Sequence, residues 1–286
     1  MEGHLDTIDR LDTRQFQLAV KRLADSLGYG SDRSPFLGSG IEYVQSRQYQ
    51  PGDPIRSIDW RVTARTGRVH VKEYEAQKRL SAWLLIDTSA SMTTGSIAHT
   101  KYRTALHVAG GLAYACLDRC SPVGVLGVGQ RSLRIEPTLS RQQVLQWLLK
   151  LRRFRYDEPT ALARRATELA ARLPNRALIV ALTDLHEDGA VAALKLLAQR
   201  HDVFVLRLRD PAERQLRGSG IVRLREAETG RTIVTHGRAR WLDDAVVQKD
   251  LERGGIDLLC IDTDQPFAHR LRHFCHARGL LGRGAR

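Results

Sequence analysis

The stretch LLIDTSASM, residues 84–92, sets Asp87, Ser89 and Ser91 at alternate positions directly after an apolar run. Three short oxygen-bearing side chains at that spacing can turn inward to one point in a loop. That suits a hard cation such as Mg2+, which takes six oxygens at about 2.1 Å and keeps several waters; Mn2+ is the natural substitute. Serine hydroxyls coordinate without neutralising the ion. A site of two hydroxyls, a threonine and few carboxylates therefore stays electrophilic and seeks an anionic oxygen from outside. A second apolar run, ALIVALTD, ends in Thr183-Asp184 and brings another carboxylate, while Thr160 lies in a loop between two expected helices. The competing reading of the serines is a polar turn in which their hydroxyls satisfy backbone groups.

The elements that must position these residues are legible as alternation. Residues 81–264 alternate apolar runs with helix-period segments, the pattern of a largely parallel sheet with helices on both faces. SAWLLID, VGVLGVG, LRIEPTL, ALIVALTD, HDVFVLRLRD and IDLLCIDTD read as strands. Helices are expected from Lys101 through KYRTALHVAGGLAYACLDRC, and over RQQVLQWLLKLRRF, TALARRATELAARL, GAVAALKLLAQR, RWLDDAVVQKDLERGG and FAHRLRHFCHARG. If LLID is a central strand, Asp87 stands at its carboxyl end, where open α/β sheets bind ligands.

Two segments break the pattern. IVRLREAETGRTIVTHG reads as two short strands around a Glu-Thr-Gly turn, a hairpin inserted near 221–236. Upstream, after an expected helix over Thr13 to Leu27, residues 38–79 turn often, at Pro51-Gly52-Asp53-Pro54 and Thr66-Gly67, and should be extended or β structure. The expected organisation is a helix and β-rich extension over 1–80 and a main α/β unit over 81–286, with extension and hairpin forming one satellite. In the extension, Asp53, Arg56, Asp59 and Arg65 are expected to pair, with Trp60 as an apolar plug; a partner surface is the functional alternative.

Composition bounds the function classes. Of 286 residues, 42% are hydrophobic and 27% charged, an ordinary globular balance. The net charge of +13 would suit nucleic acid if it were concentrated, but it is dispersed, and 38 Arg against 7 Lys points to a GC-rich genome instead. The four cysteines, at 116, 120, 260 and 275, form no C-x-x-C pair. The charged N-terminus is unlike a signal peptide, and no apolar run is long enough to span a bilayer. The expectation is a reduced cytoplasmic protein.

Other chemistries are weaker. A haloacid-dehalogenase-type phosphoesterase also uses a strand ending in aspartate, but the residue two positions on, an acid/base aspartate there, is Ser89 here. No G-x-S-x-G elbow is present, and GVLGVG lacks the Lys-Ser/Thr of a phosphate loop. His269, His273 and His276 share a helix face that reads as a polar surface before a zinc site, and Cys116 and Cys120 as small core residues. His186 reads as a rim residue. Residues 150–172 carry seven basic side chains against three acidic, either a rim for an acidic protein surface or simply solvated arginines.

DTSAS matches the D-x-S-x-S signature of von Willebrand factor A domains, and RQYQPGDPIRSIDWRVTAR, VHVKEY, LLIDTSASM, ALTDLHE, EAETGRT and GIDLLCIDTD together resemble the bacterial family called domain of unknown function 58. The resemblance implies a von Willebrand A-like, Rossmann-like fold with a metal-ion-dependent adhesion site. Asp87, Ser89, Ser91, Thr160 and Asp184 would hold Mg2+, and a partner carboxylate would complete the shell. It further implies a non-catalytic adaptor working with a MoxR-type AAA+ ATPase in complex assembly or maturation. This chain departs from many relatives in having Glu158-Pro159 before Thr160, where they have glycines.

Overall fold

In the computed structural model of the chain, the described residues are 2–4, 23, 41–53, 55–76, 80–118, 120–131, 133–155, 157–214, 220–225, 232–236 and 244–278. Six strands make the main sheet: β1 (Ala82–Ile86), β2 (Val123–Gly127), β3 (Arg134–Thr138), β4 (Leu178–Thr183), β5 (Asp202–Arg209) and β6 (Asp257–Asp262). Their spatial order is β6-β5-β4-β1-β2-β3, parallel throughout except for β3, which runs antiparallel to β2. This is the doubly wound Rossmann-like order, in which the chain leaves the middle of the sheet in opposite directions and opens a crevice between β1 and β4.

Side chains alternate across the pleat, so each central strand feeds two cores. Ala82, Leu84 and Ile86 pack against α1 (Lys101–Asp118), α2 (Arg141–Leu151) and α6 (Ala268–Ala277). Trp83 and Leu85 face the other way, toward α3 (Leu162–Arg172), α4 (Ala190–Ala198) and α5 (Asp244–Arg253). The helices follow from their spacing: Leu162, Ala166 and Leu169 bury one stripe of α3, and Val144, Trp147, Leu148 and Leu151 bury one of α2. Ser140 caps α2 by accepting from Gln143 N at 3.3 Å. Each fully buried leucine contributes about 1.5–3 kcal/mol by burial. No helix among the described residues is long and apolar enough to cross a membrane.

The upstream segment corrects the extended reading. Ile41–Gln48 and His70–Ala76 do pair as an antiparallel ribbon, but a 3-10 turn at Ile55–Ser57 and a helix at Trp60–Thr66 lie between them. Asp59 starts that helix by accepting from Arg61 N and Val62 N, and Gly67, at φ 70, ends it in the left-handed conformation glycine tolerates. Asp53 pairs with Arg47, at 2.7 and 2.8 Å, and Asp59 also accepts from Ser46 Oγ. Among the described residues Arg65 pairs with neither acid, since the turn and helix bring nearer donors to both, and the expected part of Arg56 lies outside the described side chains. Trp60 is no plug: it is 68% exposed.

The hairpin pairs as expected, Ile221–Arg225 with Thr232–His236, but as a ribbon separate from the upstream one rather than part of a joint sheet. Its Glu-Thr-Gly turn, and the helix expected over 13–27 apart from helical Leu23, lie outside the described residues. Cys116 packs beside the core, whereas Cys120 is exposed at φ 57, past the end of α1, so only the first behaves as a core residue. His269, His273 and His276 are exposed on α6 and Cys275 is buried behind them.

His201 enters β5 with both ring nitrogens buried and unpartnered. Burial first, and then the neighbouring Arg200 charge, lowers its pKa. A histidine so depressed contributes stability that is complete above its ordinary range and is lost as pH falls through that range, because the unfolded chain takes the proton more readily. His201→Leu should therefore gain on the order of 1 kcal/mol over the unmodified protein at pH 5, and less at pH 8, in urea unfolding.

Candidate functional site

The parallel register pairs Ile86 with Leu182, which places the next residues, Asp87 and Thr183, side by side at the carboxyl edge of the two central strands. Thr183 Oγ1 donates to Asp87 Oδ2 at 2.7 Å, and Ser89 N donates to Oδ1 at 3.0 Å. Both oxygens of a buried carboxylate are thereby aimed. Ser89 occupies the N-cap of the short turn Ala90–Thr93, yet its side chain makes no capping bond. Its hydroxyl lies 3.0 Å from that of Ser91 instead. Thr93 and Thr94, a few residues on, do spend their hydroxyls on backbone carbonyls. The polar-turn reading thus describes the threonines, whereas the two serine oxygens converge on each other.

Asp184 projects from the end of β4 toward the other face, as strand alternation requires. Its Oδ2 accepts from Lys101 Nζ at 2.8 Å and lies 3.3 Å from His186 Nδ1. The intervening Leu185 sits at φ 60, a conformation that bulky residues adopt only when their surroundings impose it. Lys101, the first residue of α1, is fully buried and also bonds Glu213. One tethered ammonium therefore joins two carboxylates from the ends of β4 and β5. Beside it, Asp210 accepts from Ser96 N at 2.9 Å and Ser96 Oγ at 2.5 Å, so the 94–100 loop is strapped across the sheet edge.

The charges are unequal in consequence. Burial above all, and then the Asp184 charge, pushes the Asp87 carboxyl up to about 7. Asp184 is held below the usual carboxylate range: burial opposes this, but Lys101 and His186 outweigh it. Lys101 and His186 are both raised against their own burial, the former by Asp184 and Glu213, the latter by Asp184. Asp184, His186 and Glu213 also offer ligand atoms within 4.8 Å of one another, a possible metal cluster in its own right.

Thr160 is on the flank. It bridges antiparallel to Gly129, just beyond β2, and its hydroxyl lies 3.4 Å from Glu187 Oε2, which also accepts from Ala163 N. The structure thus gathers Asp87, Ser89 and Ser91, leaves Asp184 near enough for its charge to act on Asp87, and turns the Thr160 hydroxyl to Glu187. Next to it the buried Glu158 accepts from Arg131 Nε at 2.6 Å, Arg131 N at 2.9 Å and Thr88 Oγ1 at 3.2 Å, and its carbonyl receives Ala90 N. Glu158 therefore clamps the serine loop. Gly129 permits it, since a Cβ there would land on Glu158 Oε1 and Thr88 Oγ1. Gly129→Ala should cost about 1–3 kcal/mol in urea unfolding through that clash. The same substitution at Gly52, which has open space around it but a φ of 108, tests backbone strain without crowding.

Sequence reasoning missed Lys101, Glu213, Glu158 and Arg131. A signal existed only for Glu158, as the acidic residue in the Glu158-Pro159 pair before Thr160. Part of the basic run is internally met: Arg155 pairs with Asp157, and Arg164 and Arg165 with Glu168.

Comparison with known proteins agrees with this architecture in extent. Uncharacterized proteins of Mycobacterium tuberculosis and Mycobacterium bovis are 29% identical over 281 residues, covering 93% of this chain and 88% of theirs. The sequence profile described as Protein of unknown function DUF58 matches residues 45–248, from the upstream ribbon through all but the last strand of the main sheet. The chain belongs to the DUF58 family.

Proposed function

We propose that the protein is a Mg2+-dependent binding module whose main unit is of the von Willebrand A type, with a metal-ion-dependent adhesion site at the crevice between β1 and β4. The observation that carries this reading is the buried Asp87, driven up to about 7 by burial and by a second carboxylate, with two serine hydroxyls converging beside it, 3.0 Å from each other. Two buried carboxylates whose charges act on each other are what a divalent cation relieves. The donor set is all hard oxygen and fits Mg2+, with Mn2+ as substitute. Asp87, Ser89 and Ser91 would hold the ion, with Asp184 through the oxygen that Lys101 does not take; Thr160 would join only on leaving Glu187. When bound, the ion supplies an electrophilic centre for an anionic oxygen.

In this reading a carboxylate of a protein partner supplies that oxygen, and the protein works in the cytoplasm as a non-catalytic adaptor. The family resemblance makes a MoxR-type AAA+ ATPase the first partner to test. Tagged protein would be used to recover partners from the native lysate with Mg2+, with EDTA, and as Asp87→Ala. Recovery of an AAA+ ATPase only with Mg2+ and intact Asp87 is the expected result. The same proteins in all three samples would sink the reading.

A further inference from the structure

The helix Trp60–Thr66 exposes Trp60, Arg61, Ala64 and Arg65, while Val62 and Thr63 are half-buried. Positions 60, 61, 64 and 65 form one helical face, and exposed Arg68 lies just past the glycine that ends the helix. An indole thus stands among three guanidinium groups, none of which pairs with a carboxylate among the described residues. The patch extends beyond the helix. Of the ten large apolar side chains most exposed among the described residues, four (Tyr49, Ile55, Trp60 and Val69) fall between residues 49 and 69. That density argues against the scattered exposed apolar residues of an ordinary surface. Tyr49 and Val69 are joined backbone to backbone at 2.9 Å, and Ile55 is 75% exposed on the turn before the helix.

We propose that this face docks the protein on an anionic phospholipid surface. Two features favour lipid over a protein or nucleic-acid partner. First, Ile55 and Trp60 expose most of their apolar surface, 75% and 68%, and a bilayer accepts such side chains without a shape-matched pocket; tryptophan and tyrosine are the side chains that settle at the headgroup level. Second, the charge is positive in balance. Asp53 is paired with Arg47, and the Asp59 carboxylate, which accepts from Ser46 and the helix start, sets one negative charge near Lys72, so Arg61, Arg65 and Arg68 add positive charge that neither acid meets. Basic groups beside a shallowly inserting aromatic ring are the combination that binds anionic membranes peripherally. The inference is independent of the metal site, since no residue in it belongs to that site.

The test is co-sedimentation of the intact protein with vesicles of phosphatidylcholine alone and of phosphatidylcholine mixed with phosphatidylglycerol. Binding is expected to the mixed vesicles only. Because the chain carries a net +13, adsorption alone is not enough, and a charge-matched control is required. Trp60→Glu should weaken partitioning about tenfold or more, whereas Val246→Glu, the same kind of change at a side chain 62% exposed on α5, should weaken it by less than about twofold. Brominated acyl chains should quench tryptophan emission in the unmodified protein more strongly than in Trp60→Phe, which keeps three other tryptophans. Equal losses in the two glutamate variants would overturn the proposal, as would Trp60-dependent retention on single-stranded DNA with none on vesicles.

Discussion

Lys101→Met is expected to destabilise the protein by about 3–5 kcal/mol, the usual cost of removing one partner from a buried ion pair. The side chain is 1% exposed and its Nζ holds Asp184 Oδ2 at 2.8 Å while also bonding Glu213. Methionine fills nearly the same volume, so little of the loss comes from a cavity. What remains is two carboxylates facing each other with only His186 beside Asp184 to offset them, one of them fully buried. A double variant separates this from a packing fault: Lys101→Met with Asp184→Asn should recover more than 1 kcal/mol of the loss, because the neutral amide no longer needs the ammonium. Urea unfolding in EDTA measures both. If Lys101→Met costs under about 1 kcal/mol, water reaches the cluster and the buried bridge is not what fastens α1 to the sheet edge.

The contrast between Lys101 and Asp87 shows what could be read in advance. Asp87, Ser89 and Ser91 declared themselves because chemistry and scaffold are coded in the same nine residues: an apolar strand, then oxygens at every second position. The mostly parallel sheet was legible for a related reason, since its apolar runs alternate with helical spacings, whereas the order of its strands comes from the structure. Lys101 carries no such mark. A lysine at the start of a helix is normally solvated, and the groups that bury it come from 83 and 112 residues away. Local pattern cannot show a partner at that distance.

Trp60 failed differently. Hydrophobicity suggested burial, but its helix begins at Asp59, and that origin turns 60, 61, 64 and 65 outward. A shift of two residues in the helix start would have reversed the assignment. Thr160 was correctly placed at the loop beside the site, yet Glu187, 27 residues on, has its hydroxyl within 3.4 Å, a competition that composition does not reveal.

Asp87→Asn should abolish stabilisation by Mg2+ while leaving the metal-free protein as stable as the unmodified one, or more stable, at pH 8. The sign follows from the direction of the shift. Asp87 has its folded-state pKa raised from an ordinary 3.8 to about 7, by burial first and by Asp184 second. Its contribution is therefore complete below pH 4 and is lost as pH rises toward 7, where the folded protein must give up a proton that the unfolded chain has already released. In EDTA the loss across that window is on the order of a few kcal/mol, and Asp87→Asn removes its slope. Asp184 acts in the opposite sense, its stabilisation being lost only as pH falls below the ordinary carboxylate range. The substitution is sterically mild: Oδ1 of asparagine can still accept from Ser89 N, and its amide can donate to the Thr183 hydroxyl, which at present donates to Asp87. Added Mg2+ at a hundredfold excess over its dissociation constant should raise the stability of the unmodified protein by about 2.7 kcal/mol and that of the variant not at all. Equal stabilisation of both would move the cation away from Asp87 and make the Asp184, His186 and Glu213 cluster the place where it binds.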